Sequence, residues 1–168
     1  MRLVLGLTVY FMVTITSLPA TIFIEPPAGF KPKVDVVGVF IEHDKQVLFL
    51  HRQDHISEGN TWCVPGGKVE KGEELVEAAI RETFEETRYV LSAESLEFVK
   101  TLYVKFSEKN QFLYHVFRAK LNDAPANVCI NWKEHKGFTW VTPEDALKMS
   151  LITDEDFCLN LLYGTPMP

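Results

Sequence analysis

The sequence predicts an α/β fold, and three features carry that expectation. Apolar, β-branched runs recur at strand length, over residues 34–41, 47–50, 96–104, 112–121 and 138–141. One amphipathic helix over residues 73–87 interrupts them. Two helix-start signals, Thr142-Pro143-Glu144-Asp145 and Thr153-Asp154-Glu155-Asp156, close the chain. The expected arrangement is an α/β/α sandwich: a mixed, curved β-sheet with the long helix on one face and the C-terminal helices on the other.

Taken in order, residues 3–24 carry no charge, and Arg2 ahead of the apolar run to Ile15 has the look of a secretory signal. A marginal membrane anchor, an added strand, and an over-extended start with Met12 as the true first residue are the other readings. Residues 25–32 form a Pro-rich linker, so residues 1–33 are set apart as an extension and residues 34–164 as the main domain. Residues 34–41 and 47–50 make a hairpin about the polar turn Glu42-His43-Asp44-Lys45. A polar loop over 52–60 leads to Trp62-Cys63-Val64-Pro65-Gly66-Gly67.

In the helix over 73–87, Glu73 and Glu74 occupy the first turn, where they favour the positive end of the dipole. Val76, Ala79, Ile80, Thr83 and Thr87 form the core stripe, with Phe84 at its edge, and Arg81 can bridge Glu77 and Glu85. Residues 122–137 read as a loop holding Trp132 and Glu134. Thr142 is an N-cap ahead of Pro143, and the last helix ends near Gly164.

The balance of 17 basic against 23 acidic residues, a net charge of −6, speaks against a nucleic-acid partner, which needs a basic footprint. A phosphorylated small molecule stays open, because a metal ion can supply the positive charge. Cys63, Cys129 and Cys158 show no CxxC spacing and read as free thiols in a reducing compartment. The expected location is cytoplasmic, with export or membrane anchoring through residues 1–24 as the alternative. A monomer or a homodimer is expected.

Glu82, Glu85 and Glu86 stand at i, i+3 and i+4, on one side of the helix. Like charges at that spacing repel by a few tenths of a kcal/mol per pair, which a bound cation would offset. Carboxylates beside a glycine turn form an all-oxygen site suited to Mg²⁺, with Mn²⁺ as the alternative.

The register Gly67, Glu73, Arg81-Glu82, Glu85-Glu86, Tyr89, with its lead-in Trp62-Cys63-Val64-Pro65-Gly66-Gly67, resembles the Nudix box of the MutT/Nudix hydrolases. That resemblance implies a Nudix-type α/β/α sandwich and Mg²⁺-dependent pyrophosphohydrolysis of a nucleoside diphosphate linked to another moiety. It implies Glu85 and Glu86 as main metal ligands with the Gly67 carbonyl, and Glu82 as a further ligand or base. Arg81 would orient the glutamates, and Glu73 would brace the loop. A glutamate remote from the box completes the site in several members, and Glu134 is the candidate.

Arg88 stands where the family usually has Gly, so the helix either accepts φ > 0 there or runs on. Arg52 and Gly66 are candidate substrate contacts. His43, His55, His115 and His135 lack ligand spacing and read as structural or solvent-facing. Phe106, Tyr114, Trp132 and Phe138 read as core, and Cys63 as a packed residue. A (deoxy)nucleoside triphosphate leads as substrate. Nucleotide sugars, ADP-ribose and dinucleoside polyphosphates follow, and a non-catalytic nucleotide-sensing module is the reading from another class.

Overall fold

A computed structural model describes residues 20–122 and 127–164. The readings made for residues 1–19 lie outside the described residues. Thr21–Phe23 (β1) is a strand and pairs antiparallel with Tyr103–Lys105.

Asp35–His43 (β2) and Gln46–Arg52 (β3) are the expected hairpin. Asp44 and Lys45 have φ of 46° and 64°, as a two-residue I′ loop requires. The hairpin pairs only at Glu42↔Val47 and His43↔Gln46, and then its arms diverge. Trp62–Cys63 (β4) pairs with β3, and Gly66–Lys68 (β5) pairs with β2. The glycine turn is thereby fixed to the middle of the sheet.

Leu96–Ser107 (β6) and Asn110–Lys120 (β7) form a long hairpin, and β7 runs parallel to β2. His135–Val141 (β8) closes the far side on β3. The sheet is therefore mixed, in the order β1-β6-β7-β2-β3-β4, with β5 and β8 added at β2 and β3.

The period of two along the strands sorts the core into two halves. Val37, Val39, Ile41, Leu48 and Leu50 face Ala78 and Ala79 of the long helix, Leu75–Thr87 (α1). Phe40, Val47 and Phe49 face Ala146, Cys158 and Leu159 on Pro143–Ala146 (α2) and Glu155–Tyr163 (α3). The α/β/α sandwich is what the alternation demands, because both faces of β2 and β3 are apolar. No described helix is long and apolar enough to cross a membrane.

Several expected boundaries move. The helix begins at Leu75, with Glu74 as its N-cap; the Glu74 N–H donates to Glu77 Oε2 at 3.2 Å in a capping box. Glu77 is thus spent on the cap and does not bridge Arg81. The loop expected over 122–137 ends early, since β8 starts at His135. Ala78 and Glu86 join Ala79, Thr83 and Thr87 on the buried face, while Phe84 is exposed.

The question at Arg88 is resolved in favour of the strained backbone. Its φ is 63° and ψ 12°, and its N–H donates to Phe84 O at 2.9 Å, so the helix stops where a family glycine would stop it. The guanidinium lies 5.1 Å above the Phe84 ring. A left-handed L-residue costs about 1–2 kcal/mol. An exposed cation–π contact returns about 0.5–1 kcal/mol. Arg88→Gly is therefore expected to stabilise the fold by about 0.5–1 kcal/mol. The urea midpoint should rise at unchanged m-value.

Candidate active site

Four segments meet at the C-terminal half of α1: the β5 glycine turn, the helix face, the loop before β8, and the segment around Glu73. The helix glutamates do not share one environment. Glu85 points outward, with its side chain 53% exposed, and lies 3.8 Å from Arg81. Glu86 is buried, and both of its oxygens are engaged. Gly66 N–H donates to Oε2 at 2.9 Å, and His135 Nε2 donates to Oε1 at 2.9 Å.

Glu82 lies flat against Gly67. A Cβ built on Gly67 would overlap the Glu82 carboxylate, so only glycine lets this acid approach the turn. A Cβ on Gly66 would meet the Val37 carbonyl oxygen in the same way. The β2 backbone therefore requires glycine at Gly66, whereas a side chain at Gly67 would displace the Glu82 carboxylate from the turn.

Arg81 is the hub. It donates from Nε to Glu73 Oε1 at 2.7 Å and from Nη2 to Glu73 Oε2 at 2.8 Å, a bidentate pair. Nη1 donates to Glu82 Oε1 at 2.8 Å and Nη2 to the Lys68 carbonyl at 3.0 Å. This guanidinium pulls the Glu73 carboxyl down to about 2. Glu73 in turn accepts from Glu70 N–H at 2.8 Å, which closes the turn before the helix. Burial pushes the Glu82 carboxyl above the usual range; Arg81 opposes this, and Glu86 and Glu85 add to it.

The remote loop is tied to the helix end. Cys129 N–H donates to Thr87 O and Asn131 N–H to Glu86 O, both at 3.1 Å, filling carbonyls that a helix leaves unpaired. Gln53 holds the other side, from its N–H to Glu134 O at 2.8 Å and from Nε2 to Trp132 O at 3.0 Å. These bonds carry Glu134 and His135 to Glu86, and ligand atoms of Glu86, Glu134 and His135 lie within 4.8 Å of one another.

His135 is the residue that sequence spacing missed. It is fully buried and bonded to Glu86, and its Nδ1 has no partner among the described residues, so of the two expected readings the solvent-facing one is set aside and the structural one stands. The one available signal was its place beside Glu134. Trp132 is also corrected, being 69% exposed rather than core, and Phe138 is exposed as well. Arg52 donates from Nε and Nη2 to Ser57 O at 3.2 and 2.7 Å, so its guanidinium is partly occupied while still lining the neighbouring cavity. Cys63 is buried, and burial pushes its thiol up, which suits packing and not nucleophilic attack.

A divalent cation fits this set. Arg81 is the guanidinium beside Glu82 and Glu85, Glu86 is buried against Gly66 and His135, and Glu134 adds another carboxylate. With His135 Nε2 donating to Glu86, the ligands offered are carboxylate and carbonyl oxygens, which suit Mg²⁺ or Mn²⁺. His135→Ala would leave Glu86 buried with one partner fewer. It is expected to cost about 1–3 kcal/mol in urea unfolding, with His135→Gln costing less.

An acidic helix clamped to a glycine turn, with Glu134 and His135 brought beside Glu86 from a remote loop, is a ligand set that suits a divalent cation. The NUDIX domain family model matches residues 31–159, and the chain belongs to that family of nucleotide-directed pyrophosphohydrolases. It is 32% identical over 129 residues to the phosphatase NudJ of Shigella boydii, covering 72% of this chain and 75% of that protein. It is 28% identical over 118 residues to the CTP pyrophosphohydrolase of Escherichia coli K12, covering 70% and 82%. Among solved structures, the MutT protein of Methanosarcina mazei Go1 superposes with a TM-score of 0.66 at 25% identity, covering 82% of this chain and 98% of that one.

Proposed function

We propose that this chain is a Mg²⁺-dependent nucleoside triphosphate pyrophosphohydrolase, releasing a nucleoside monophosphate and pyrophosphate from a ribo- or deoxyribonucleotide. The observation that carries this reading is a cavity of about 330 Å³ that shares Gly66 and Gly67 with the acidic helix. A space of that size suits one nucleoside, with its phosphates at the glycine turn. Similarity to a CTP pyrophosphohydrolase supports the same substrate class.

In this reading Glu82, Glu85 and Glu86, with the Gly67 carbonyl, hold the cation, and His135 and Gly66 N–H fix the rotamer of Glu86. The bound cation supplies charge neutralisation at the pyrophosphate and a more acidic water. Arg81 keeps Glu82 against the turn. Glu134 is the base that accepts a proton from water; Asn131 Nδ2 donates to its Oε1 at 2.8 Å and steers the carboxylate. The rest of the loop, held by Gln53, sets the distance between that base and the helix.

A second reading, hydrolysis of a dinucleoside polyphosphate, draws on Trp132, whose exposed ring next to Glu134 offers a stacking face for a second base. A nucleotide panel assayed with Mg²⁺, with Mn²⁺ and with chelator separates these readings. The expected result is metal-dependent release of pyrophosphate from a triphosphate. Symmetric cleavage of a dinucleoside substrate, with triphosphates inert, supports the second reading. Tight binding without turnover of any compound makes the chain a sensor and overturns both.

A further inference from the structure

The loop that carries Glu134 has few fastenings of its own. Glu134 is exposed, so packing does not hold its carboxylate. Inside the loop, Asn131 Nδ2 donates to Glu134 Oε1 at 2.8 Å, and the Glu134 and His135 amides donate to the Asn131 carbonyl at 3.0 and 2.9 Å. These bonds all turn on Asn131, and they leave the carbonyls of Trp132, Glu134 and His135 to be held from outside. An exposed side chain on a turn keeps most of its conformational freedom unless the backbone beneath it is fixed.

Gln53 supplies that hold from just past the end of β3. Its N–H donates to Glu134 O at 2.8 Å, and its Nε2 donates to Trp132 O at 3.0 Å and to His135 O at 3.3 Å. A carbonyl only accepts, so the two side-chain bonds require an amide nitrogen with two N–H groups. The neighbouring residues add a second tie, from Lys136 Nζ to Asp54 Oδ1 at 2.5 Å and to Asn60 Oδ1 at 2.8 Å.

The sheet register points the same way. β8 pairs with β3 as Leu50↔Phe138 and His51↔Gly137, and then as Arg52↔His135. Lys136 is therefore an extra residue at a β-bulge, a device that re-aims side chains beside functional sites. The bulge resets the alternation, and His135 turns to the α1 side, where it meets Glu86. Gln53 continues the pairing past the bulge through its bond to Glu134 O. Its chain neighbour Arg52 lines the cavity, so the loop is set in register with the cavity wall as well as with Glu86.

We propose that Gln53 is a positioning residue for the hydrolytic step: its side-chain amide sets the placement of Glu134, and it acts through that glutamate and not on the substrate. The proposal rests on the base role given to Glu134 above. The bond to Trp132 O is exposed to solvent, so water can take over from a lost donor there and the fold loses little. A base, by contrast, works only within hydrogen-bond reach of the proton it takes, and a small misplacement is costly to turnover. Removing the amide therefore has a large effect on rate and a small one on stability, the reverse of what a purely structural bond gives.

The test is a double-mutant cycle on the full chain, combining Gln53→Met with Glu134→Gln. It is assayed with Mg²⁺ on the nucleotide that turns over fastest in the panel. Methionine keeps the length of the side chain and loses the amide. Gln53→Met alone should lower kcat about 10-fold or more, with KM within about threefold and the melting temperature unchanged. In the Glu134→Gln background the same substitution should change kcat by less than about twofold, because the group it positions is already gone. Hydrogen exchange in chelator reads the loop with no metal and no turnover. The Glu134 and His135 amides should exchange about 10-fold or more faster in Gln53→Met, while the Ala78 amide, bonded to Glu74 O in α1, stays as in wild type. An unchanged kcat, unchanged exchange, or a Glu134→Gln as active as wild type overturns the proposal. So does a loss of kcat that comes with a lower melting temperature and persists in the Glu134→Gln background, which makes Gln53 a structural residue only. If no nucleotide is turned over, the hydrolase reading falls, and faster exchange at Glu134 and His135 alone still leaves Gln53 as the group that sets this loop.

Discussion

Glu85→Gln is expected to lower Mg²⁺-dependent turnover by about 10²-fold or more while leaving the urea midpoint unchanged. The structure makes this the cleanest of the glutamate substitutions. Glu85 is half exposed, and its ion pair with Arg81 is long, at 3.8 Å, so the fold depends little on its charge. Glu86→Gln would instead disturb buried bonds to Gly66 and His135, and Glu82→Gln would disturb the contact with Gly67. Loss of activity in those variants would mix chemistry with packing. Near wild-type turnover in a well-folded Glu85→Gln would sink its assignment as a ligand.

Arg81→Ala carries the second large expectation, a combined loss of about 2–4 kcal/mol in stability and tenfold or more in turnover. One guanidinium joins Glu73, Glu82 and the Lys68 carbonyl, and so fastens the turn before the helix to the glycine turn across from it. Arg81→Lys keeps the charge but not the fork, and should restore only part of either loss.

The pH dependence distinguishes this account from a general surface effect. Arg81 depresses Glu73 to about 2, below the ordinary value of 4.5. Its contribution is therefore full above about pH 4.5 and is lost as pH falls towards 2. The stability gap between wild type and Arg81→Ala should narrow over that window in acid unfolding. A gap independent of pH would remove the Glu73 pair from the explanation.

The parts legible in sequence are those that depend on local periodicity. Glu82, Glu85 and Glu86 share a helix side by arithmetic alone, and the alternation in β2 and β3 assigns the two core halves. The polar turn after β2, the Thr142 cap and the end of α3 at Gly164 also follow from near neighbours. What was not legible depends on contacts far apart in the chain. His135 reaches Glu86 only because Cys129 and Asn131 dock on the carbonyls at the end of α1. No local pattern marks that docking.

Misreadings arose where a local rule was true but spent elsewhere. Glu77 sits at the right spacing for Arg81 yet closes a capping box. Trp132 is apolar by composition yet lies outside the core. Thr153-Asp154-Glu155-Asp156 starts a helix as expected, but Asp154 does not cap it and Glu155 turns into a cavity. These conflicts gather near the site, where sequence and fold are under different demands.

The docking of the loop on the end of α1 also has a kinetic meaning. The Arg88 amide closes the helix on Phe84, and the Cys129 and Asn131 amides close the next carbonyls along. Fraying of that last turn breaks all of these bonds at once and carries Glu134 and His135 away from Glu86. The amides of Arg88, Cys129 and Asn131 therefore belong to one opening unit in hydrogen exchange, despite their separation in sequence. A cation held by Glu86 would slow the exchange of all of them together.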